Sequence, residues 1–294
     1  MNLSNFFNIN IILKLLNSLM LSTAFVLSLN ASATDIVTVN VGESKDDMRV
    51  IFKNELVRQA LEITRDKYDD YEIVENPQRM NIARAFRELQ KGESLSLTFA
   101  HTRPEFEEIA LPIRVSLRKG VDSYRLLLVR KGEKHRFQNV KDTEGLKAFT
   151  VGLSPNWSTY KVMKKRDFDI VDAPDYQSMF RMLDLKRFDF IPRAINEVYD
   201  EVELYKPVGE GLEIVDGIAL YIPAASYMFV SKKQPRIFER LNSGLHAMNI
   251  NGELSALTEK YYRKSVLKAK LQDRIIISMD DSQLANAGAN SDTF

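Results

Sequence analysis

Side chains suited to acid–base or metal chemistry are few in this chain, and they are widely spaced. Its three histidines, His101, His135 and His246, stand far apart in sequence, and none has a neighbour at metal-ligand spacing. Cysteine is absent, which removes thiol nucleophiles and thiolate metal sites. No Gly-x-Ser-x-Gly elbow, Walker loop, Gly-x-Gly-x-x-Gly fingerprint or His-Glu-x-x-His pair occurs. Forty acidic residues are present, and nothing in their spacing singles out a catalytic pair. The residue types give no support for catalysis, and neither cofactor nor metal is expected.

The elements that must position any binding residues begin after an unusual N-terminus. Residues 9–29 are apolar apart from Asn10, Lys14, Asn17 and a few hydroxyls, and they lead into Ala31-Ser32-Ala33. A weakly basic start, an apolar run and a small-x-small ending describe a secretory signal peptide over residues 1–33. The mature chain is then expected to begin at Thr34, in the periplasm. The same run is marginally long enough to span a membrane, so an uncleaved anchor is the alternative. With no cysteine at the cleavage site, no lipid would hold the mature chain to a membrane.

Lys14 is the one charged residue before Thr34, so the mature chain carries 40 basic and 40 acidic side chains. That balance offers no footprint for nucleic acid or an anionic membrane. Its 261 residues are too many for an average single domain and natural for two. Hydrophobic periodicity predicts a strand over 36–41, helices over 48–67 and 79–91, and a strand over 95–99. A second series follows, with strands at 124–130, 148–153, 169–172 and 188–191 and helices at 158–166 and 175–185. A strand at 227–231 and helices at 236–248 and 253–263 close the pattern. Strand–helix–strand order implies parallel pairing and α/β layers.

Three segments, read in order, resemble the extracellular solute-binding proteins of the polar-amino-acid-transporter type, family 3. They are MNIARAFRELQKGESLSLTFAHTRPEFEEIALPIRVSLRKGVDSYRLLLV (80–129), AFTVGLSPNWSTY (148–160) and DYQSMFRMLDLKRFDFIPRAINEVYDE (175–201). The closing YMFVSKKQPRIFERLNSGLHAMNINGELSALTEKYY fits as well. The resemblance covers about 34–268 and implies an α/β, two-lobed periplasmic binding protein type 2 fold with a ligand cleft at a hinge. Residues 34–116 and a return segment 225–270 would form one lobe and 117–224 the other. The tail 271–294 is expected to be disordered.

The same resemblance implies a cleft lined by Glu43 and Ser44, by His101, Thr102 and Arg103, by Ser154, Asn156, Trp157, Ser158 and Thr159, and by Arg193, Asn196 and Glu197. Ser158 or Thr159 at a helix start could accept an anion or merely cap the helix. Trp157, the one tryptophan, could stack on a ligand ring or sit in the core. Arg103 and Arg193 could clamp an anionic ligand or be salt-bridged elsewhere. The chain departs from the amino-acid-binding pattern twice, with Glu105 in the usual arginine slot and Ala194 near the usual aspartate. A small, anionic solute is therefore expected rather than a plain amino acid.

The implied function is capture of that solute by a monomer for an ABC-type importer. A ligand-presenting partner of a membrane sensor, a dehydratase-like enzyme on the same scaffold and a ligand-free interaction module are the alternatives.

Overall fold

The computed structural model describes residues 34–45, 47–206, 211–223 and 225–279. The expected signal peptide lies outside them. Along the chain the strands are β1 (Asp35–Asn40), β2 (Tyr71–Asn76), β3 (Leu97–His101), β4 (Ala110–Ile113), β5 (Tyr124–Arg130) and β6 (Val151–Leu153). Then come β7 (Ile170–Asp172), β8 (Ile191–Ala194), β9 (Leu212–Ile214), β10 (Ile218–Tyr221), β11 (Ser226–Ser231) and β12 (Ile275–Ser278). The helices are α1 (Arg49–Glu62), α2 (Arg65–Tyr68), α3 (Ile82–Lys91), α4 (Pro104–Ile109) and α5 (Thr143–Leu146). They continue as α6 (Ser158–Lys164), α7 (Tyr176–Asp184), α8 (Val198–Leu204), α9 (Pro235–Asn251) and α10 (Glu253–Ala269). No helix among the described residues is long and apolar enough to cross a membrane.

Two open sheets result. In the first, β1 and β2 pair in parallel, and β11 lies antiparallel between β3 and β4. Ser96 joins these ladders: its N–H donates to the Thr38 carbonyl and its hydroxyl accepts from Thr38 N, both at 2.9 Å. In the second, the order is β12-β10-β5-β8, with β9 also on β5. Parallel β6 and β7 join its far edge where Gly152 N donates to the Phe190 carbonyl at 3.0 Å. Strand β5 reads Tyr-Arg-Leu-Leu-Leu-Val-Arg and is buried from Arg125 onward, as a central strand covered on both faces must be.

Local chemistry sets the helix positions. Asn81 caps α3 by accepting from Arg84 N, and Gly92, at φ 72°, ends that helix in the left-handed region. Asp175 caps α7 by accepting from Ser178 N. Helix α9 lies so close to α1 that a Cβ on Gly244 would fall 2.0 Å from the Ala60 carbonyl oxygen. Arg240 in α9 is 0 % exposed, with donors on the Asp35 carboxylate at 2.8 Å and the Asp69 carbonyl at 2.7 Å.

Two sequence expectations need correction. The strand expected at 188–191 is β8 at Ile191–Ala194. Phe188 instead fills the space beneath Gly152, where an added Cβ would lie 2.2 Å from its ring. The tail expected to be disordered from residue 271 is ordered through Met279. Strand β12 pairs in parallel with β10, and Arg274 secures it by donating to the Val215 and Ile218 carbonyls at 2.7 and 2.9 Å. Residues 280–294 lie outside the described residues.

The chain therefore passes between the sheets three times. It leaves after β4, returns after β10 and leaves again after α10. The first two passages run side by side, with Leu117 N on the Ser226 carbonyl at 3.3 Å and Ile222 N on the Ser123 carbonyl at 2.8 Å.

Candidate functional site

Between the sheets lies a cavity of about 140 Å3. On the first-sheet side it is walled by Glu43 after β1, by Asp47, Arg49 and Lys53 at the start of α1, and by Phe99, His101 and Arg103 at the end of β3. From the second sheet come Arg125 of β5, residues 156–159 at the start of α6, Arg193 of β8 and Glu197 beyond it. Strand ends and helix starts meeting across a crevice are the usual address of a binding site in open α/β sheets.

Contacts from the two sides cross the mouth of this cavity. Ser158 Oγ lies 3.0 Å from His101 Nδ1, and Arg103 Nη2 donates to the Asn156 carbonyl at 3.1 Å. Outside them Lys161 Nζ reaches Glu105 Oε1 at 2.7 Å. His101 Nε2 is 3.2 Å from Asp122 Oδ2, and Arg118 Nη1 donates to the same oxygen at 3.2 Å. Burial would raise the Asp122 carboxyl, but the hydrogen bond and charge of His101, with Arg118 and Arg125, hold it well below the usual range.

The charged walls fall into three groups. Arg49 grips Asp47 through Nε and Nη2 at 2.6 and 2.8 Å, with Glu43 at 3.8 Å. Burial opposes ionisation of Asp47, and Arg49 more than offsets it. Arg193 is 2 % exposed and gives Nε to both Glu201 oxygens, at 3.0 and 2.8 Å, and Nη2 to Glu197 at 2.6 Å. Its guanidinium also lies 4.4 Å from the Trp157 ring centroid. Burial would raise the Glu197 carboxyl, but Arg193, Arg49, Arg125 and Arg118 hold it lowered.

The third group has no carboxylate partner. The guanidinium of Arg125, a residue 5 % exposed, makes no hydrogen bond to any described residue, and its Nε is wholly buried without an acceptor. Burial depresses its pKa, which Glu197 opposes and Arg193 reinforces. Lys53 has no acceptor among the described residues and lies 5.6 Å from the Phe99 ring centroid. Burial pushes its ammonium down to about 8, helped by Arg49 and opposed by Asp47. Arg103 spends one donor on a neutral carbonyl, and burial lowers it too.

The structure brings Glu43, His101, Arg103, Asn156, Trp157, Ser158, Thr159, Arg193 and Glu197 to this wall. Four other expected residues turn elsewhere. Ser44 is buried, its carbonyl taken by Arg79. Thr102 Oγ1 donates to Glu107 at 2.6 Å. Ser154 Oγ accepts from Asn156 N at 3.4 Å. Asn196 faces a second cavity, of about 300 Å3, between the start of α1 and helices α8 and α10. The expected arginine clamp is not assembled, because Arg193 is committed to Glu197 and Glu201. Ser158 does not cap α6 either: Trp157 holds the cap position and the Ser158 hydroxyl goes to His101.

Sequence reasoning missed Asp47, Arg49 and Lys53, which look like the solvated first turns of a helix. It also missed Arg125, although a charged residue inside an apolar strand is itself a signal. Among the described residues no group of three or more histidines and carboxylates could hold a metal ion.

No family model and no curated protein matches this chain. Solved structures do resemble it. An ancestral arginine-binding protein bound to glutamine matches with a TM-score of 0.55 at 16% identity, over 78% of this chain and 97% of that one. A double mutant of the Bordetella pertussis BvgS VFT2 domain gives 0.56 at 17% identity, over 79% and 94%. A Salmonella typhimurium periplasmic binding protein with high arginine specificity gives 0.56 at 14% identity, over 79% and 100%. At such identities the likeness establishes the fold, which is that of the two-lobed periplasmic binding proteins.

Proposed function

We propose that the protein is a periplasmic solute-binding protein, which closes two lobes around a small molecule and hands it to a membrane permease. The observation that carries this reading is the cavity between the sheets, bridged by contacts from its two sides, His101 to Ser158 and Arg103 to Asn156. Contacts that span two lobes are of the kind that closure about a hinge makes and breaks. Trp157 borders the cavity, so titrating its fluorescence against a metabolite library tests the idea. A saturable change with the solute recovered intact is expected, and silence across the library would refute it.

The lobes we propose are 34–116 with 225–270, and 117–224 extended by the ordered residues 271–279. A mature chain starting at Thr34 and acting as a monomer completes the proposal. The solute is small and anionic, because five cationic side chains on the wall (Arg49, Lys53, Arg103, Arg125 and Arg193) face three acids (Glu43, Asp47 and Glu197).

One observation favours a second reading. Ser158, His101 and Asp122 form a hydroxyl–imidazole–carboxylate chain, with the serine on Nδ1 and the aspartate on Nε2, the reverse of the ring nitrogens that serine hydrolases use. Turnover of a chromogenic ester, lost in Ser158→Ala, would support an enzyme on this scaffold; unchanged ester would dismiss it.

A further inference from the structure

Arg125 sits where an arginine has no reason to be unless something else is present. It lies in the middle strand of the second sheet, 5 % exposed, among leucines that are fully buried. A guanidinium has five donors and cannot shed its proton. Yet none of the donors of Arg125 meets an acceptor among the described residues, and Nε is sealed from solvent. Buried arginines nearby show what satisfaction looks like: Arg193 holds two carboxylates and Arg118 donates to Asp122 and Ser226. Arg125 of β5 and Lys53 of α1 border the same small cavity from its two sides, and among the described residues neither side chain has a hydrogen-bond or ion-pair partner.

We propose that Arg125 and Lys53 form the seat for one carboxylate of the captured solute. The inference rests on the reading of the protein as a solute-binding protein, and it names the chemical group that the cleft takes. A planar fork suits a carboxylate or phosphate bidentately, and an ammonium adds a point charge. The charge balance chooses between them. The acids around Arg49 and Arg193 offset most of the positive wall, and with Arg118, Asp122 and Glu201 counted just behind it one net positive charge is left. One carboxylate cancels that charge, whereas a phosphate at neutral pH would overshoot it. Because one seat group comes from the second sheet and the other from helix α1 on the opposite side, filling it also holds the two sides together.

The test uses the mature chain at constant ionic strength, followed by Trp157 fluorescence and thermal melting. The probes are acetate, succinate and L-glutamate, each beside its amide (acetamide, succinamide and L-glutamine), with inorganic phosphate as the competing oxyanion. At least one carboxylate should bind and raise the melting temperature while its amide does not. Arg125→Met and Lys53→Met should each weaken that binding by about thirtyfold or more, the loss typical of removing one partner of a buried charge pair. Arg125→Met should also melt above the wild type when both are empty, since it removes a desolvated charge. Arg125→Lys, which keeps charge without the fork, should fall between. A solute that binds the wild type and both methionine variants equally would overturn the seat and leave the solute-binding reading standing, and so would preference for an amide or for phosphate. If no solute of any charge binds, both readings fail together.

Discussion

Arg193 and Lys53 lie on one wall and make opposite demands. Arg193 was the arginine that chain order offered as a ligand clamp, but its fork is filled by Glu201 and Glu197. Arg193→Met should therefore strip a buried pair and cost roughly 3–5 kcal/mol of stability, because Glu201 is left charged and buried. Urea unfolding would show this as a lower midpoint, and an unchanged midpoint would mean that the pair is dispensable. Lys53 should act through pH instead. Burial depresses its ammonium to about 8, with Arg49 and Arg118 adding to the shift and Asp47 and Glu43 opposing it. Those arginines stay charged and Asp47 is ionised throughout this range, so Lys53 alone titrates there.

Below pH 8 folded and unfolded chains both hold the Lys53 proton, and the burial cost is present in full. Between about 8 and about 10.4, the ordinary lysine value, the folded chain gives it up first, so stability from this group rises with pH. Anion affinity runs the other way. It should fall as pH passes 8, by at most about tenfold per unit for one proton, and calorimetry across pH 7–9.5 would show it. A flat profile would take Lys53 out of the seat.

At the scale of elements, the readable parts were those whose periodicity reports burial. Strand β5, helix α3 with Phe86 and Leu89 inward, and the α9–α10 pair all announce themselves by spacing. Strand β2 did not, because Tyr71–Asn76 is a mostly exposed edge with charges along it. Strand β12 hid for a different reason. Ile275–Ser278 is four residues long and its neighbours resemble a tail, so only its pairing with β10 gives it an identity. In the site, loops after strands were legible by analogy of order, whereas the α1 flank was not, since nothing in sequence says that Lys53 faces a cleft rather than water. Deleting everything after Lys270 should therefore cost stability, through the lost β12 ladder and the Val215 and Ile218 carbonyls that Arg274 no longer meets. About 2–4 kcal/mol is expected for several such bonds, whereas deletion from residue 280 onward should cost far less. Equal melting temperatures for the two truncations would contradict the role given to β12.

At the scale of the molecule, closure should depend on the few contacts that span the mouth. Ser158 and His101 meet across it, and Asp122 steadies the imidazole from behind. Removing the hydroxyl with Ser158→Ala should leave the fold intact and shift the empty protein toward an open form by about 1 kcal/mol. Small-angle scattering would register a larger radius of gyration for Ser158→Ala than for the wild type, with the difference abolished by a bound solute. Identical radii would mean that the hydroxyl contributes nothing to holding the lobes shut.

The three passages of chain between the sheets meet the second sheet at β5, β10 and β12, which are neighbours there. Connectors set abreast behave as a strap rather than a cord. A strap folds more readily about the line across its width than it wrings, which favours a swing of one lobe on the other. On the solute-binding reading proposed above, a membrane partner would then sense occupancy of the cavity from the surface, as an angle.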